Sequence, residues 1–289
     1  MTAVQPAAVE SPLARALRAY RVVDLSLTLD DRLPCVWPGH MPFEHKVHNW
    51  YTMSVGGGQR LRSTGPYYTC WMTLDEHVGT HFDAPTHFIP PPDSGLDHAS
   101  ELGAVYGDRV PLELLQGPAT VVDVRVLRES PENGVSPLIT PELLDRWEQE
   151  NGPIAEGDVV LFRSGWDEFY LPHPEGARYT QRPLVFRDAP GWPAPSAEAV
   201  VHLYERGVRT LGTDGPSIGA AHEGLSMHWA GLERGMVYVE GLAHLDELPV
   251  RGSLFVFMPL KIAESSGGGG RALAYVPRSF VSARAGSRA

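Results

Sequence analysis

Apolar and polar positions alternate in short stretches along this chain, each bounded by glycine, proline or short polar residues. Val22 to Leu29 alternates with period two and predicts a strand. Thr120 to Val126, Asp158 to Arg163, Val208 to Gly212, Met236 to Val239, Leu254 to Met258 and Ala272 to Val276 are β-branched or apolar runs of strand length. Two stretches carry a helical signal instead. Thr140-Pro141-Glu142 places an N-cap before a proline at the first helical position and predicts a helix to Glu150. Ser196 caps a second, running to about Arg206, with Ala197, Val200, Val201 and Tyr204 at helical spacing. Ile89 to Gly95 contains three consecutive prolines and reads as a rigid loop. His173 to Pro195 is dense in proline and charge, as an insertion or lid would be, and Ser265 to Gly270 reads as a flexible loop. Residues 20–281 are therefore expected to form one domain. Residues 1–19, Ala/Pro-rich and then weakly helical over Leu13 to Leu17, are expected as a flexible or exchanged arm, with 282–289 as a flexible tail.

Composition narrows the function classes. The 289 residues are 43% hydrophobic and 20% charged, the balance of a soluble globular protein able to bury a substantial core. A formal charge of −11 argues against nucleic acid or an anionic membrane as partner. Two cysteines make no disulfide framework, so a reducing cytoplasm is the expected compartment. No apolar run approaches the ~20 residues of a membrane span, and the first twenty residues lack the pattern of a signal peptide.

The chemistry is concentrated between Glu76 and Phe88, where His77, His81, Asp83 and His87 fall within eleven residues, interrupted by Gly79 and Pro85. Neutral imidazoles and a carboxylate are what a borderline divalent ion such as zinc or manganese takes as ligands. All four positions are odd-numbered and share one face of an extended chain. In a straight strand, at ~3.3 Å per residue, His77 and His87 would lie about 33 Å apart. The chain must therefore bend, and Gly79 and Ala84-Pro85 offer places to do so. A single histidine is more often a satisfied core or surface residue; three with an aspartate at spacings of four, two and four are not. A helix carrying His77 and His81 one turn apart is the alternative geometry, opposed by Gly79, Thr80 and Pro85.

These residues spell His-x-Gly-Thr-His-x-Asp-x-Pro-x-His, and the segment resembles the signature of the cyclase family of metal-dependent hydrolases, to which bacterial kynurenine formamidase and isatin hydrolase belong. The resemblance extends from about Val22 to Pro277, through Val23 to Thr28, Trp37-Pro38-Gly39, Leu161 to Trp166, Gly212 to Ser217 and Pro259 to Ile262. It implies a β-rich α/β domain built on a small barrel-like mixed sheet flanked by helices, of the swivelling β/β/α type. It also implies that His77, His81 and Asp83 hold a first ion and that His87 moves protons. Trp37 is implied at the substrate site, although His40 follows that turn where the family usually has an acidic residue. A homodimer or higher homo-oligomer is implied as well.

The formamidase branch completes a two-ion site with a later histidine and a glutamate twelve residues beyond it. His228 and Glu240 have that spacing, so Asp83 would bridge the ions, and Glu240 joins His87 among the expected catalytic residues. The isatin hydrolase branch resembles a one-ion enzyme, so one or two ions, zinc or manganese, remain open. His222 is a rival to His228 whose spacing does not fit. An ion with an open position activates water and polarises a carbonyl, so no serine or cysteine nucleophile is required. Neither Ser164, Ser226, Cys35 nor Cys70 stands in a nucleophile context. Trp71, Trp229 and the remaining tryptophans read first as core, and Arg163 and Arg182 as surface ion pairs. The leading expectation is hydrolysis of an amide, lactam or ester bond in a small cyclic or aromatic substrate. A non-hydrolytic cyclase or lyase, and a binding protein with a structural ion, are the alternatives.

Overall fold

The computed structural model describes residues 11–51, 55–56, 59–60, 65–129 and 132–282. Eight strands form the main sheet: β1 (Tyr20–Asp24), β2 (His81–Asp83), β3 (Gln116–Asp123), β4 (Val159–Arg163), β5 (Thr210–Thr213), β6 (Val237–Glu240), β7 (Ser253–Pro259) and β8 (Gly267–Pro277). Hydrogen bonding runs β8-β7-β3-β4-β5-β6-β2 and returns from β2 to β8, closing seven strands into a mixed barrel. The β3-β4-β5-β6 run is parallel and the other ladders are antiparallel. β8 pairs end to end with two strands, Gly267–Gly269 with β2 and Leu273–Pro277 with β1.

The period-two pattern sorts side chains to the two sides of this wall. Ala119, Val121, Val159, Leu161, Val237, Val239 and Phe82 fill the barrel interior. Their neighbours Val122, Val160, Phe162 and Tyr238 face a second core under the helices. Those helices are α1 (Pro141–Asn151), α2 (Ala197–Glu205) and α3 (Leu225–Leu232). The first two start as their caps predict: Thr140 Oγ1 accepts from Leu143 N at 3.4 Å, and Ser196 Oγ from Ala199 N at 3.2 Å. α3 went unforeseen because it is buried on most of its circumference and begins at Gly224 without a side-chain cap, so it shows no amphipathic stripe.

Several boundaries differ from the sequence pattern. The first strand ends at Asp24; beyond it only Ser26 makes an isolated bridge, to Leu242. The expected Thr120 to Val126 strand begins at Gln116 and gives way to a 3-10 turn over Arg125–Glu129. Ser265 to Gly270 is not a loop throughout: β8 starts at Gly267, and the glycines are needed because backbone crowds there. A Cβ on Gly267 would lie 2.1 Å from Phe82 O. Residues 12–17 of the expected arm form a short exposed helix, while residues 1–10 of the arm and 283–289 of the tail lie outside the described residues. A two-stranded hairpin of Glu44–Asn49 with Thr69–Thr73 leaves Trp50, Tyr68 and Trp71 exposed. No helix among the described residues is long and apolar enough to cross a membrane.

Candidate metal centre

Strand register, rather than sequence proximity, assembles the site. On β2, Phe82 points into the barrel, so His81 and Asp83 face outward. The antiparallel neighbour β6 sets Glu240 directly opposite His81 and Tyr238 opposite Asp83, and directly opposed residues share a face. Upstream, Gly79 takes φ +58°, and a Cβ there would sit 2.4 Å from Leu29 Cδ2; its turn brings His77 back beside Asp83. Downstream, Pro85 opens a 3-10 turn ending at His87, whose ring stacks on His77 with centroids 3.8 Å apart. His228 arrives from α3, which docks on β6 where Tyr238 Oη donates to Met227 O at 2.8 Å. The bend expected between His77 and His87 is thus made at Gly79 and Pro85.

Each inward ring nitrogen presents a lone pair when its ring is neutral. His81 Nδ1 donates to Gly79 O at 2.9 Å, and His228 Nδ1 donates to Gly224 O at 2.5 Å, so in both neutral rings Nε2 is left as acceptor. His81 Nε2 lies 3.4 Å from Glu240 Oε2 and 3.7 Å from Asp83 Oδ1. His228 Nε2 lies 3.6 Å from Asp83 Oδ2 and 3.5 Å from Glu240 Oε1. Asp83 Oδ2 is buried without a hydrogen-bond partner among the described residues. Acceptors converging on acceptors are repulsive until a proton or a metal ion stands among them, and rings anchored through the other nitrogen are how proteins aim imidazoles at metals. Two buried carboxylates also demand compensating positive charge. The residues fit a divalent ion. Their donor atoms fall into two groups sharing Asp83, namely His77/Asp83/His87 and His81/Asp83/Glu240. The distances therefore set His81 beside Glu240, whereas family resemblance allots it to the first ion with His77.

The same geometry governs protonation. Burial works against the charged form of His228, but the neighbouring carboxylates of Asp83 and Glu240 prevail and push it up to about 10. His81 is raised likewise, burial being outweighed by Glu240 and Asp83. Asp83 is held well below the carboxylate range: burial opposes this, and His87 and His228 overcome it. Burial drives His87 down to about 4, so it is neutral at pH 7.

A cavity of about 340 Å³ opens onto these groups. Trp37, Phe88, Tyr170 and Leu184 supply aromatic and apolar walls, and His87, His228 and Glu240 lie at its polar end. Tyr179 also lines it, with a buried hydroxyl that has no hydrogen-bond partner among the described residues. Other residues singled out from sequence fall elsewhere. His40 lines the cavity but pairs with Asp75 at 3.3 Å. His222 sits exposed at the rim, its Nδ1 accepting from Ser136 N at 3.1 Å. Arg163 and Arg182 pair with Asp123 and Asp188 outside it. Trp229 stacks on His98, and Trp71, expected as core, lies on the exposed hairpin. Cys35 lines the cavity with its thiol raised by burial, the opposite of an activated nucleophile.

Sequence reading missed the supports behind the ligands. Glu240 Oε1 accepts from Ile218 N at 2.7 Å and Ser217 Oγ at 3.2 Å, which gives the Gly212 to Ser217 segment its role. Glu76 and Ser266 stand behind His77. Glu76 abuts the motif and carried that much signal; Ser266, in a Ser/Gly run, carried none.

The Cyclase family model matches residues 23–220. Isatin hydrolase of Roseibium aggregatum is 32% identical over 224 residues, 75% of this chain and 78% of its own. Kynurenine formamidase of Erythrobacter litoralis is 32% identical over 254 residues, 88% and 93% of the two chains. Among solved structures, an isatin hydrolase bound to the product analogue thioisatinate superposes with TM-score 0.74 at 25% identity, covering 92% of this chain and 97% of its own. Isatin hydrolase A from Ralstonia solanacearum gives 0.73 at 28% identity, covering 94% and 100%.

Proposed function

The chain belongs to the Cyclase family, and from that premise we propose that it is a metal-dependent hydrolase opening the C–N bond of an amide or lactam in a small aromatic or cyclic substrate. The observation that carries this reading is the buried ring of lone pairs around Asp83, opening onto an aromatic-walled cavity large enough for a bicyclic molecule. Relatives named isatin hydrolase and kynurenine formamidase support the same bond class.

His77, His81, Asp83, His228 and Glu240 would hold two divalent ions, zinc or manganese, with Asp83 shared between them. When bound, such an ion lowers the pKa of water toward ~7 and polarises a carbonyl. The protein's own groups do the rest. His87, neutral and free of side-chain hydrogen bonds among the described residues, takes the proton of the attacking water and returns it to the leaving nitrogen. Trp37 and Phe88 pack against the substrate ring and exclude water. Tyr179 Oη hydrogen-bonds the polar edge of the substrate, the partner its buried hydroxyl lacks.

The test is hydrolysis in ¹⁸O-water of a panel of formanilides, isatins, hydantoins and lactones, by protein loaded with zinc or manganese and by chelated protein. One label per product in the loaded protein alone is expected. Unlabelled product would reassign the site to dehydrative cyclisation, and an Asp83→Ala variant as active as the parent would remove the reading altogether.

A further inference from the structure

Resting on that reading, we propose that Glu76 and Ser266 lock His77 in one tautomer, making them positioning residues for the ion site. The geometry leaves little freedom. Glu76 Oε2 accepts from Ser266 N at 2.8 Å and from Ser266 Oγ at 2.6 Å. A serine hydroxyl has one proton, and here the carboxylate takes it. At its 2.9 Å contact with His77 Nε2, Ser266 Oγ can therefore only accept, so the hydrogen of the neutral ring resides on Nε2. His77 Nδ1 is then a lone pair, directed at Asp83 Oδ1 2.9 Å away.

The alternative tautomer shows what the lock prevents. With its hydrogen on Nδ1, His77 would donate to Asp83 Oδ1 in a satisfied hydrogen bond. That bond would occupy a carboxylate oxygen and a ring nitrogen of two residues that share a donor group. Ion capture would first have to break it. With the hydrogen held on Nε2, the two acceptors stay unsatisfied until a cation arrives. The pairing resembles the anchoring of His81 and His228 by the Gly79 and Gly224 carbonyls, except that here a side-chain pair replaces a backbone carbonyl.

The glycine run makes the lock possible. Ser266 immediately precedes Gly267, where a Cβ would lie 2.9 Å from His77 Cε1 as well as 2.1 Å from Phe82 O. Only a residue without a side chain lets β8 pass close enough to β2 for Ser266 Oγ to reach the ring.

The experiment pairs ion affinity with tautomer. Zinc and manganese affinities are measured by chelator competition for the parent and for Glu76→Ala, Glu76→Gln, Ser266→Ala and Ser266→Thr. Ring-nitrogen NMR of histidine-labelled, ion-free protein, assigned with His77→Gln, reports where the His77 hydrogen resides. Glu76→Ala frees the Ser266 hydroxyl to donate to Nε2, moving the ring hydrogen to Nδ1, and is expected to weaken binding 10- to 100-fold, on the order seen for outer-shell partners. Ser266→Ala is expected to weaken it comparably. Glu76→Gln and Ser266→Thr, which keep the acceptor and the hydroxyl, are expected to retain most of the affinity. Parent-like affinity in both alanine variants, or an Nδ1 hydrogen in the ion-free parent, overturns the lock. The parent spectrum decides even if a variant fails to fold. A parent that binds neither ion would instead overturn the hydrolase reading.

Discussion

Loading the site should expel a proton from His228. In the ion-free protein this ring sits 3.5–3.6 Å from carboxylates of Asp83 and Glu240 and is pushed up to about 10, so at pH 7 it is protonated. An ion coordinated by Nε2 requires the neutral ring, because Nδ1 already donates to Gly224 O. Binding at pH 7 therefore displaces about one proton from this residue, and His81, raised for the same reason, adds to the release. Three pH units below a value of about 10, the competition weakens apparent affinity on the order of 10³-fold, or about 4 kcal/mol. Titration calorimetry in buffers of different ionisation enthalpy measures the protons released. His228 alone is expected to raise affinity by up to about tenfold per pH unit between 7 and 9. Stability runs the other way in the ion-free protein. A histidine raised above its ordinary 6.5 stabilises the fold fully below that value, and the contribution is lost as pH rises through 10. Chelated protein should then denature more easily at pH 10 than at pH 6. His228→Gln should reduce the release by about one proton, which separates the ring from ionisation of bound water. Buffer-independent heats, with affinity flat over pH 7–9, would refute the reasoning.

Three further outcomes are expected. His87→Ala should lower kcat by about 10²–10⁴ with ion content unchanged by elemental analysis; loss of the ion with the ring would make His87 a ligand instead. Tyr179→Phe should raise KM several-fold through one lost hydrogen bond worth about 0.5–1.5 kcal/mol, with little change in thermal midpoint, whereas an unchanged KM would detach its hydroxyl from the substrate. Gly267→Ala, which drives a methyl against Phe82 O, should cost about 1–3 kcal/mol or more in chemical denaturation. Gly268→Ala, whose Cβ would have nothing nearer than 3.6 Å, should cost little, and equal effects at the two positions would contradict the packing described.

The local rules were legible in the chain. Thr140 and Ser196 announce their helices because a cap needs only three or four neighbouring residues. The bend between His77 and His87 is likewise written in Gly79 and Pro85, whose backbone preferences act on the spot. Long-range pairing had no such local trace. That Glu240 faces His81 depends on β6 lying antiparallel to β2 in one register, and a slip of one residue would turn Glu240 into the barrel interior. The spacing of His228 and Glu240 entered only through resemblance to a family. The start of β8, Gly267 to Gly270, reads as a flexible loop because glycine and serine look the same in sequence whether they serve freedom or close approach. Contact with Phe82 O and His77, made from nearly two hundred residues away, decides between the two. The sequence by itself therefore determined which groups could bind an ion and where the chain must turn. Closure of the barrel decided which of them meet, because burying the apolar face of each strand leaves one register in which the opposite faces bring His77, His81, Asp83 and Glu240 together and let α3 add His228.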